Sequence, residues 1–316
     1  MKNDLIWGYM LYLGDHMWAD ETSKPQWYMP KPYREEMRTE VETWDAVVKF
    51  LAERKYNLVL IDVGDGIKYE RHPEISVPNA WDKDFLKKKL AEMRALGIEP
   101  IPKLNFSTSH DTWMKKYRRM ISTPEYYEFC ADVIHEVCEV FDNPRFFHLG
   151  CDEEAIVYQN IDIIIARNPD LWWHDFRFYC DEVEKHGCRP WIWSDYVWNH
   201  EELFVKNMPK SVLQSNWYYY PFQQWDEKHA NRNRELAGYE LLDKYGYDQI
   251  LTGSTWNCTE NLHQTVAHGK EKISPEHLVG FMTAPWLYTD AENLYGHYCD
   301  ADRLYVARKK LYPETL

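Results

Sequence analysis

Eight short apolar runs, separated by longer stretches with helical spacing, constrain the fold of this chain more than any other feature. The runs are rich in β-branched and aromatic residues, which is typical of buried strands. Between them, stretches such as 35–54 and 82–96 place apolar residues three and four positions apart, as amphipathic helices do. This alternation favours parallel strands that are joined by helices. The predicted strands are 5–11, 57–63, 98–104, 145–151, 189–194, 211–217, 249–255 and 278–284.

The chain has 316 residues, a length that suits a (β/α)8 TIM barrel, and this fold is the leading prediction. A doubly wound sheet is the alternative. The sequence has no G-x-G-x-x-G motif and no P-loop, so we expect no nucleotide cofactor. It also has no linker rich in glycine and serine, so we expect one catalytic domain over 1–316 with no accessory domain. The remaining helices are predicted at 123–140, where Thr123 and Pro124 open the helix, and at 170–186, 200–208 (short), 232–245, 260–272 and 300–311.

The charge balance argues against two classes of partner. The chain has 37 basic and 51 acidic residues and a net charge of −14, which disfavours nucleic acid and anionic membranes. No apolar run approaches membrane-spanning length. The 15 Trp, 23 Tyr and 12 Phe suit a large aromatic core, a cleft that stacks on sugar rings, or a homodimer interface, and the sequence leaves all three open.

The cysteines indicate a reducing compartment. Seven are present, an odd number, and none form a C-x-x-C pair, so we expect free thiols rather than a disulfide framework or a zinc ribbon. The sequence begins directly in a predicted strand, without the apolar region of a signal peptide. We therefore expect a cytoplasmic protein.

The strongest functional signal lies in 146–154, where an apolar run ends in Gly150, Cys151 and then three acids. Side-by-side carboxylates repel each other, and their pKa values can be driven apart. Such a pair suits a site that donates a proton and also stabilises a developing positive charge. The alternative is an acidic helix N-terminus, which fits Glu154 better than Asp152 and Glu153.

In a barrel, catalytic groups follow the carboxyl ends of the strands. Polar and aromatic residues converge there, and a saccharide needs both hydrogen-bonding groups and flat apolar faces. Structural roles stay open: core packing for His148, capping for His110 and Asp195, a turn for Asp62 and Asp65, and helix packing for Trp217. The candidate residues are Asp62, Asp65, His110, His148, Asp152, Glu153, Trp193, Asp195, Trp217, Tyr218, Trp256, Trp286 and Asp290.

The segment 148–153 resembles the H-x-G-[GA]-D-E motif of family 20 glycoside hydrolases, the β-N-acetylhexosaminidases. The resemblance extends along the chain and implies a TIM barrel that hydrolyses a carbohydrate, an amino sugar glycoside. The other segments that resemble the family are 61–66, 71–75, 102–110, 193–195, 214–217 and 280–286.

The resemblance also implies a substrate-assisted mechanism, in which the substrate's own 2-acetamido oxygen attacks the anomeric carbon. Asp152 would orient and stabilise the amide, and Glu153 would be the general acid and base. His110 with Asp62 or Asp65 would form a supporting hydrogen-bond chain, and His148 would support the strand end. The indoles of Trp217, Trp256 and Trp286 would form the wall of the sugar subsite.

The sequence departs from the family at three places. Trp7-Gly8 stands where the family has an Arg-Gly pair that binds ring hydroxyls, and Trp286 is followed by Asp290 rather than by a nearby Glu. Thr108-Ser109-His110 replaces a P-G-H segment. A modified or internal sugar, or an unusual aglycone, is therefore left open.

Three other functions remain as alternatives. A glycosidase with two-carboxylate chemistry would use Glu153 as acid and Asp195 or Glu260 as its partner. A non-catalytic barrel would bind saccharide without turnover. A metal hydrolase would use His16, His110, His148 and Asp152, but H-x-H and H-E-x-x-H spacings are missing, so we expect no metal. The sequence leaves the sugar, the linkage and exo or endo action open.

Overall fold

The computed structural model describes residues 5–17, 34–154 and 165–316, which form a closed barrel of eight parallel strands. The strands follow one another around the barrel in chain order, and β8 pairs with β1 to close it. The predicted TIM barrel is confirmed, and the doubly wound alternative is wrong. The strands are β1 (Ile6–Tyr12), β2 (Leu58–Asp62), β3 (Glu99–Lys103), β4 (Phe146–His148), β5 (Arg189–Trp193), β6 (Leu213–Ser215), β7 (Gln249–Gly253) and β8 (Leu278–Thr283).

Every predicted helix is present, although some ends differ. Thr123 caps α3 by accepting a hydrogen bond from the N–H of Tyr126, as its sequence position predicts. The first helix begins at Val41 instead of 35, because Thr39 is tied to the carbonyl of Leu13 at 2.8 Å. The helices of the described residues are α1 (Val41–Glu53), α2 (Lys83–Ala95), α3 (Pro124–Val140), α4 (Pro169–Glu184), α5 (Tyr196–Asn199), α6 (Glu201–Asn207), α7 (Ala230–Lys244), α8 (Asn261–Lys272) and α9 (Leu294–Leu311).

The core has two layers, because successive side chains of a strand point to opposite faces. Residues on the outer face of the strands pack against the helices, whereas Met10, Leu60 and Ile101 belong to the cluster that fills the barrel. Near the carboxyl ends of the strands the side chains become polar, with Asp62 and Lys103 both buried. The change in polarity along the barrel marks the end at which a site can lie.

All seven cysteines are free thiols, as expected. Within 5–17, 34–154 and 165–316, no helix is long and apolar enough to cross a membrane. A single domain over 1–316, a homodimer and a cytoplasmic location stay predictions.

Candidate active site

The chain leaves β4 through a backbone conformation that few residues tolerate. Gly150, Cys151 and Glu153 have φ values of 71°, 66° and 57°. The left-handed region costs a non-glycine residue about 1–2 kcal/mol. A Cβ at Gly150 would lie 2.0 Å from the side-chain oxygen of Asn105, so only glycine fits there. The turn ends β4 at His148, earlier than predicted, and carries the next residues between the ends of β3 and β5.

Asp152 and Glu153 share one histidine. The Nε2 of His110 lies 3.3 Å from Oε2 of Glu153, and its Nδ1 lies 3.7 Å from Oδ1 of Asp152. Burial lowers the pKa of the imidazole, but the charge of Asp152 and the hydrogen bond to Glu153 outweigh it and raise the pKa of His110 to about 9. His110 is therefore a cation at neutral pH, and it offsets the repulsion between the two acids.

Asn105 fixes the carboxylate of Asp152 beside β3. Its Nδ2 donates to Oδ1 of Asp152 at 2.8 Å, and its Oδ1 accepts from the N–H of Ser107 at 3.0 Å. Asp152 is 5% exposed, whereas the side chain of Glu153 is 27% exposed. The two acids therefore differ in exposure, because the carboxylate of Asp152 is held away from water and that of Glu153 is partly in contact with it.

A third carboxyl group, Asp195 at the end of β5, completes this cluster. It accepts a hydrogen bond from the backbone N–H of Glu153 at 2.9 Å. Burial first, and then the charge of Asp152, raise the pKa of Asp195 well above its usual range. The hydroxyls of Ser107 and Ser109 donate to the carbonyl oxygens of Asp152 and Glu153. The structure thus holds the backbone of the acidic pair from both neighbouring strands.

Beneath the pair, Asp62 and Lys103 form a buried ion pair at the ends of β2 and β3. Burial raises the pKa of Asp62, although the ammonium of Lys103 opposes the rise. Asp62 therefore has Lys103 as its ion-pair partner, and the supporting chain from Asp62 to His110 stays a prediction. Close by, Nδ1 of His148 accepts from the N–H of Gly150 at 3.0 Å. Burial, assisted by Lys103, lowers the pKa of His148, so the neutral ring supports the turn.

Aromatic rings form one side of the barrel mouth. Trp193 and Trp286 have ring centroids 6.1 Å apart, and Tyr219 lies 6.5 Å from Trp286. Trp217 packs against Tyr219 at 5.3 Å. Burial raises the pKa of Tyr219 well above its usual range, and the charges of Asp152 and Glu153 also contribute. These four rings form one connected group, the aromatic wall, and Tyr219 lies close enough to Asp152 and Glu153 to be affected by their charges.

Tyr218, a predicted substrate ligand, lies outside the aromatic wall. Its hydroxyl donates to the carbonyl of Pro221 at 3.1 Å and accepts from Nε1 of Trp225 at 2.7 Å. Its ring belongs to the core between strands and helices. Because neighbouring residues of an extended chain point to opposite sides, Tyr219 faces the mouth instead.

Two further candidates stand at the edge of the mouth. Asp290 caps a short 3-10 helix, and its carboxylate accepts from the backbone and side chain of Asn293 at 3.1 and 2.7 Å. Trp256 is 45% exposed. Trp256 is therefore not part of the buried wall in which the sequence led us to expect it, and the substrate-binding role of Asp290 stays a prediction.

Asp65 serves a different histidine from the one predicted. Its carboxylate binds Nδ1 of His16 at 2.8 Å and Nζ of Lys115 at 3.3 Å. Trp7 lies at the opposite end of β1 from the mouth, where it stacks on Phe281 at 5.1 Å. Trp7, which stands where the family has Arg, therefore affects packing at the far end of the barrel. It does not line the mouth.

Three buried residues near the mouth, Tyr219, Asn105 and Asp15, are not among the candidates from the sequence. Tyr219 and Asn105 contribute directly, and the signal for Asn105 was its position immediately after a strand. Asp15, after β1, is 7% exposed and its Oδ2 lies 3.7 Å from Nε of Arg38. Burial raises the pKa of Asp15 to about 6. Among the described residues, its Oδ1 has no hydrogen-bond partner.

His110, Asp152 and Glu153 could each offer one atom to a metal ion, since those atoms lie within 4.8 Å of one another. A metal would have to displace the proton that His110 holds below a pKa of about 9. The predicted set of four is not formed, because His16 pairs with Asp65 and His148 supports Gly150. The geometry and the raised pKa therefore favour a protonated His110 over a metal-bound one.

No protein-family model and no curated protein matches this chain. Solved structures do match. Dispersin B superposes with a TM-score of 0.64 at 14% identity, over 97% of this chain and 99% of its own. A β-N-acetylhexosaminidase from Bacteroides fragilis gives 0.62 at 15%, over 98% and 70%. A family 20 exo-β-N-acetylglucosaminidase from Vibrio harveyi, solved with N-acetylglucosamine, gives 0.60 at 14%, over 98% and 57%.

This chain has the fold of the family 20 catalytic barrel. Its length is just over half that of the Vibrio harveyi enzyme, and it spans nearly all of Dispersin B. At such low identity the likeness establishes the fold alone. The chemistry has to be argued from the side chains of the mouth.

Proposed function

We propose that the protein is a retaining glycoside hydrolase that cleaves β-linked N-acetylhexosaminides with assistance from the substrate's acetamido group. The observation that carries the proposal is the placement of His110 between Asp152 and Glu153 at the mouth of the barrel. A protonated imidazole between two acids allows both to stand side by side. The two acids can then take different roles.

Asp152 suits the orienting role. Its carboxylate is buried and fixed by Asn105, so it cannot swing away when a substrate amide approaches. In the first step, the acetamido oxygen forms a bond to the anomeric carbon as the bond to the aglycone oxygen breaks. Asp152 would accept a hydrogen bond from the amide N–H and would stabilise the positively charged oxazolinium that results. Preorganised groups of this kind supply a large share of catalytic power.

Glu153 suits the acid–base role. Its partly exposed carboxyl would give a proton to the departing aglycone oxygen in the first step. In the second step, a water molecule attacks the anomeric carbon, and Glu153 takes the proton from it. The acetamido group is restored, and the sugar leaves with its original anomeric configuration.

The aromatic wall supports an amino sugar as the substrate. Trp193 and Trp286, whose ring centroids are 6.1 Å apart, would offer flat apolar faces to the methyl group of an acetamide. The Vibrio harveyi structure, which shares this fold, contains N-acetylglucosamine. The charge of Asp152 contributes to the raised pKa of Tyr219, so the two side chains are near each other. The hydroxyl of Tyr219 would then donate a hydrogen bond to the acetamido oxygen.

Two-carboxylate chemistry is the second candidate, because Asp195 lies next to the pair. Its Oδ2 already accepts the N–H of Glu153, and its raised pKa favours the protonated form, which is a poor nucleophile. Glu260, the other suggested partner, stands at the start of α8 with its side chain 66% exposed and 3.4 Å from Arg303. Neither carboxyl suits that role as well as the acetamide does.

A panel of nitrophenyl β-glycosides tests the proposal. The wild-type protein should release nitrophenol from the 2-acetamido sugars and not from the matching 2-hydroxy sugars. NMR of the first-formed product should show retention of the β configuration. Equal cleavage of the 2-hydroxy sugars would favour the two-carboxylate chemistry, and binding without cleavage would favour the non-catalytic barrel.

A further inference from the structure

The residue that follows the acidic pair is tied across the base of the β4–α4 loop. Both oxygens of Glu154 accept hydrogen bonds from Nη2 of Arg167, at 2.7 and 2.5 Å. One of them also accepts from Nε1 of Trp172 at 3.0 Å. Glu154 is not the helix cap that its position suggested, because Asn168 caps α4. Its carboxylate instead connects the beginning of the loop to its end.

The tie continues into the body of the barrel. Nη1 of Arg167 donates to Asp175 of α4 at 2.8 Å, and both side chains are buried, at 3% and 0% exposure. Asp175 also accepts from the hydroxyls of Ser122 and Tyr127, next to and within the start of α3. Two helices therefore fix the guanidinium, and the guanidinium fixes Glu154.

We propose that Glu154, held by Arg167 and Asp175, is a positioning residue for the Asp152–Glu153 pair. The inference rests on the proposed function for its kinetic consequence. Glu153 stands in the left-handed region with a φ of 57°, which a non-glycine residue occupies only when its surroundings enforce it. Asp195 and Ser109 hold the backbone of Glu153 itself, and Glu154 supplies the anchor on the following residue.

The charge of Glu154 matters because its surroundings are buried. Arg167 cannot lose its charge, and among residues 5–17, 34–154 and 165–316 its anionic partners are Glu154 and Asp175, so the loss of Glu154 leaves Asp175 to balance it. Breaking one side of a buried ion pair forces the remaining charge to rearrange or to draw in water. We expect residue 154 to move, the backbone of Glu153 to relax toward an ordinary conformation, and its carboxylate to leave His110.

The test compares Glu154→Gln with Glu136→Gln as a matched control. Glu136 is also buried, at 2%, and binds Lys83 at 2.7 Å and the backbone N–H groups of Glu70 and Arg71. None of these groups belongs to the acidic cluster. Both substitutions keep the side-chain shape and remove one buried charge, so both should lower the thermal midpoint.

Two readouts separate positioning from stability. For Glu154→Gln, kcat should fall about 10- to 100-fold with little change in KM, as a small misplacement of a reacting group does. The pKa of His110, followed by NMR, should fall from about 9 toward its ordinary 6.5, because Glu153 no longer faces it. The control should leave both quantities at their wild-type values. Arg167→Lys, which keeps the charge, should show the same changes with smaller size.

The NMR readout needs no turnover, so it separates this inference from the proposed function. If the wild type cleaves none of the glycosides, the proposed function fails, and the pKa of His110 still tests the positioning role. A folded Glu154→Gln protein with wild-type kcat and an unchanged pKa of His110 would overturn the inference. Should Glu154→Gln fail to fold, the same two results for Arg167→Lys would decide it.

Discussion

Two histidine–carboxylate clusters lie at the mouth of this barrel, and they differ in what they leave available. In one, His110 stands between Asp152 and Glu153, and the side chain of Glu153 is 27% exposed. In the other, His16 binds Asp65 through Nδ1 at 2.8 Å, and its Nε2 donates to the backbone carbonyl of Arg34 at 2.7 Å. The second pair is almost completely buried.

We infer from this difference that the His110 cluster is the catalytic one and that the His16 cluster is structural. In the His16 cluster, both ring nitrogens are hydrogen-bonded, and Lys115 also binds Asp65. These charged groups therefore stabilise the fold. In the His110 cluster, the distances are longer and one carboxylate reaches water. Buried charge alone does not mark an active site. The feature that we associate with catalysis is an acid that is held in place and is still accessible to water.

Replacing either acid of the first cluster should have the largest effect. We expect Asp152→Asn and Glu153→Gln each to lower kcat by about 10³-fold, because each removes a group needed only in the transition state. Both variants keep the side-chain shape, but each removes an anion beside the buried His110 cation, so the unfolding midpoints should fall and kcat is compared on the folded protein. Steady-state kinetics on a 2-acetamido nitrophenyl glycoside measures this. Activity within tenfold of wild type for both variants would place the chemistry elsewhere.

Breaking the His16–Asp65 cluster should lower the stability of the fold and leave kcat largely unchanged. Asp65→Asn removes the buried carboxylate that binds both His16 and Lys115, and breaking one side of such a buried cluster should cost about 3–5 kcal/mol of unfolding free energy. Urea denaturation measures the loss. The kcat of the folded fraction should stay within about tenfold of wild type, since no reacting group is removed. A stable variant without activity would make this cluster part of the site.

The pKa of His110 gives the protein a pH-dependent stability. The pKa is about 9 in the folded state and 6.5 in the unfolded state, so the protonated ring stabilises the fold. That contribution is fully present below pH 6.5 and is lost as the pH rises through 9, and it amounts to about 3 kcal/mol. His110→Gln should remove this dependence in urea titrations at pH 6 and pH 9.5. An unchanged difference between the two pH values would assign it to other groups.

The exposed indole at the edge of the mouth should have the smallest effect. If Trp256 stacks on the sugar beyond the scissile bond, Trp256→Ala should raise KM for a chito-oligosaccharide about 3- to 10-fold with kcat unchanged. The matched control is Tyr295→Ala, which removes another exposed ring, at 78%, from the start of α9. Equal KM values for both variants would remove Trp256 from substrate binding.

The sequence predicted the architecture well, because hydrophobic period and strand length are local properties. It also placed Asp152, Glu153, His110, Asp195 and Trp193 at one end of the barrel, since parallel strands present their carboxyl ends together. The pairing of Asp195 with the backbone of Glu153 confirms that their strands meet there. These predictions needed only the order of the elements.

The remaining details depend on angles that a sequence does not display. The choice between Tyr218 and Tyr219 follows from which face of the segment after β6 meets the mouth. Asp65 follows the same strand as Asp62, but the turn between them sends it to His16. The early end of β4 coincides with the turn at Gly150, where Asn105 from the end of β3 leaves no room for a Cβ. Such contacts between distant segments appear only once the barrel closes.

The most direct test of the central claim varies the basicity of the acetamide. Four nitrophenyl glycosides, with acetyl, monofluoroacetyl, difluoroacetyl and trifluoroacetyl groups on the 2-amino nitrogen, differ mainly in how well the carbonyl oxygen attacks. If that oxygen is the nucleophile that Asp152 orients, kcat/KM should fall steeply with each added fluorine. The same kcat/KM for all four substrates would show that another group attacks the sugar, and the assignment of Asp152 and Glu153 would be contradicted.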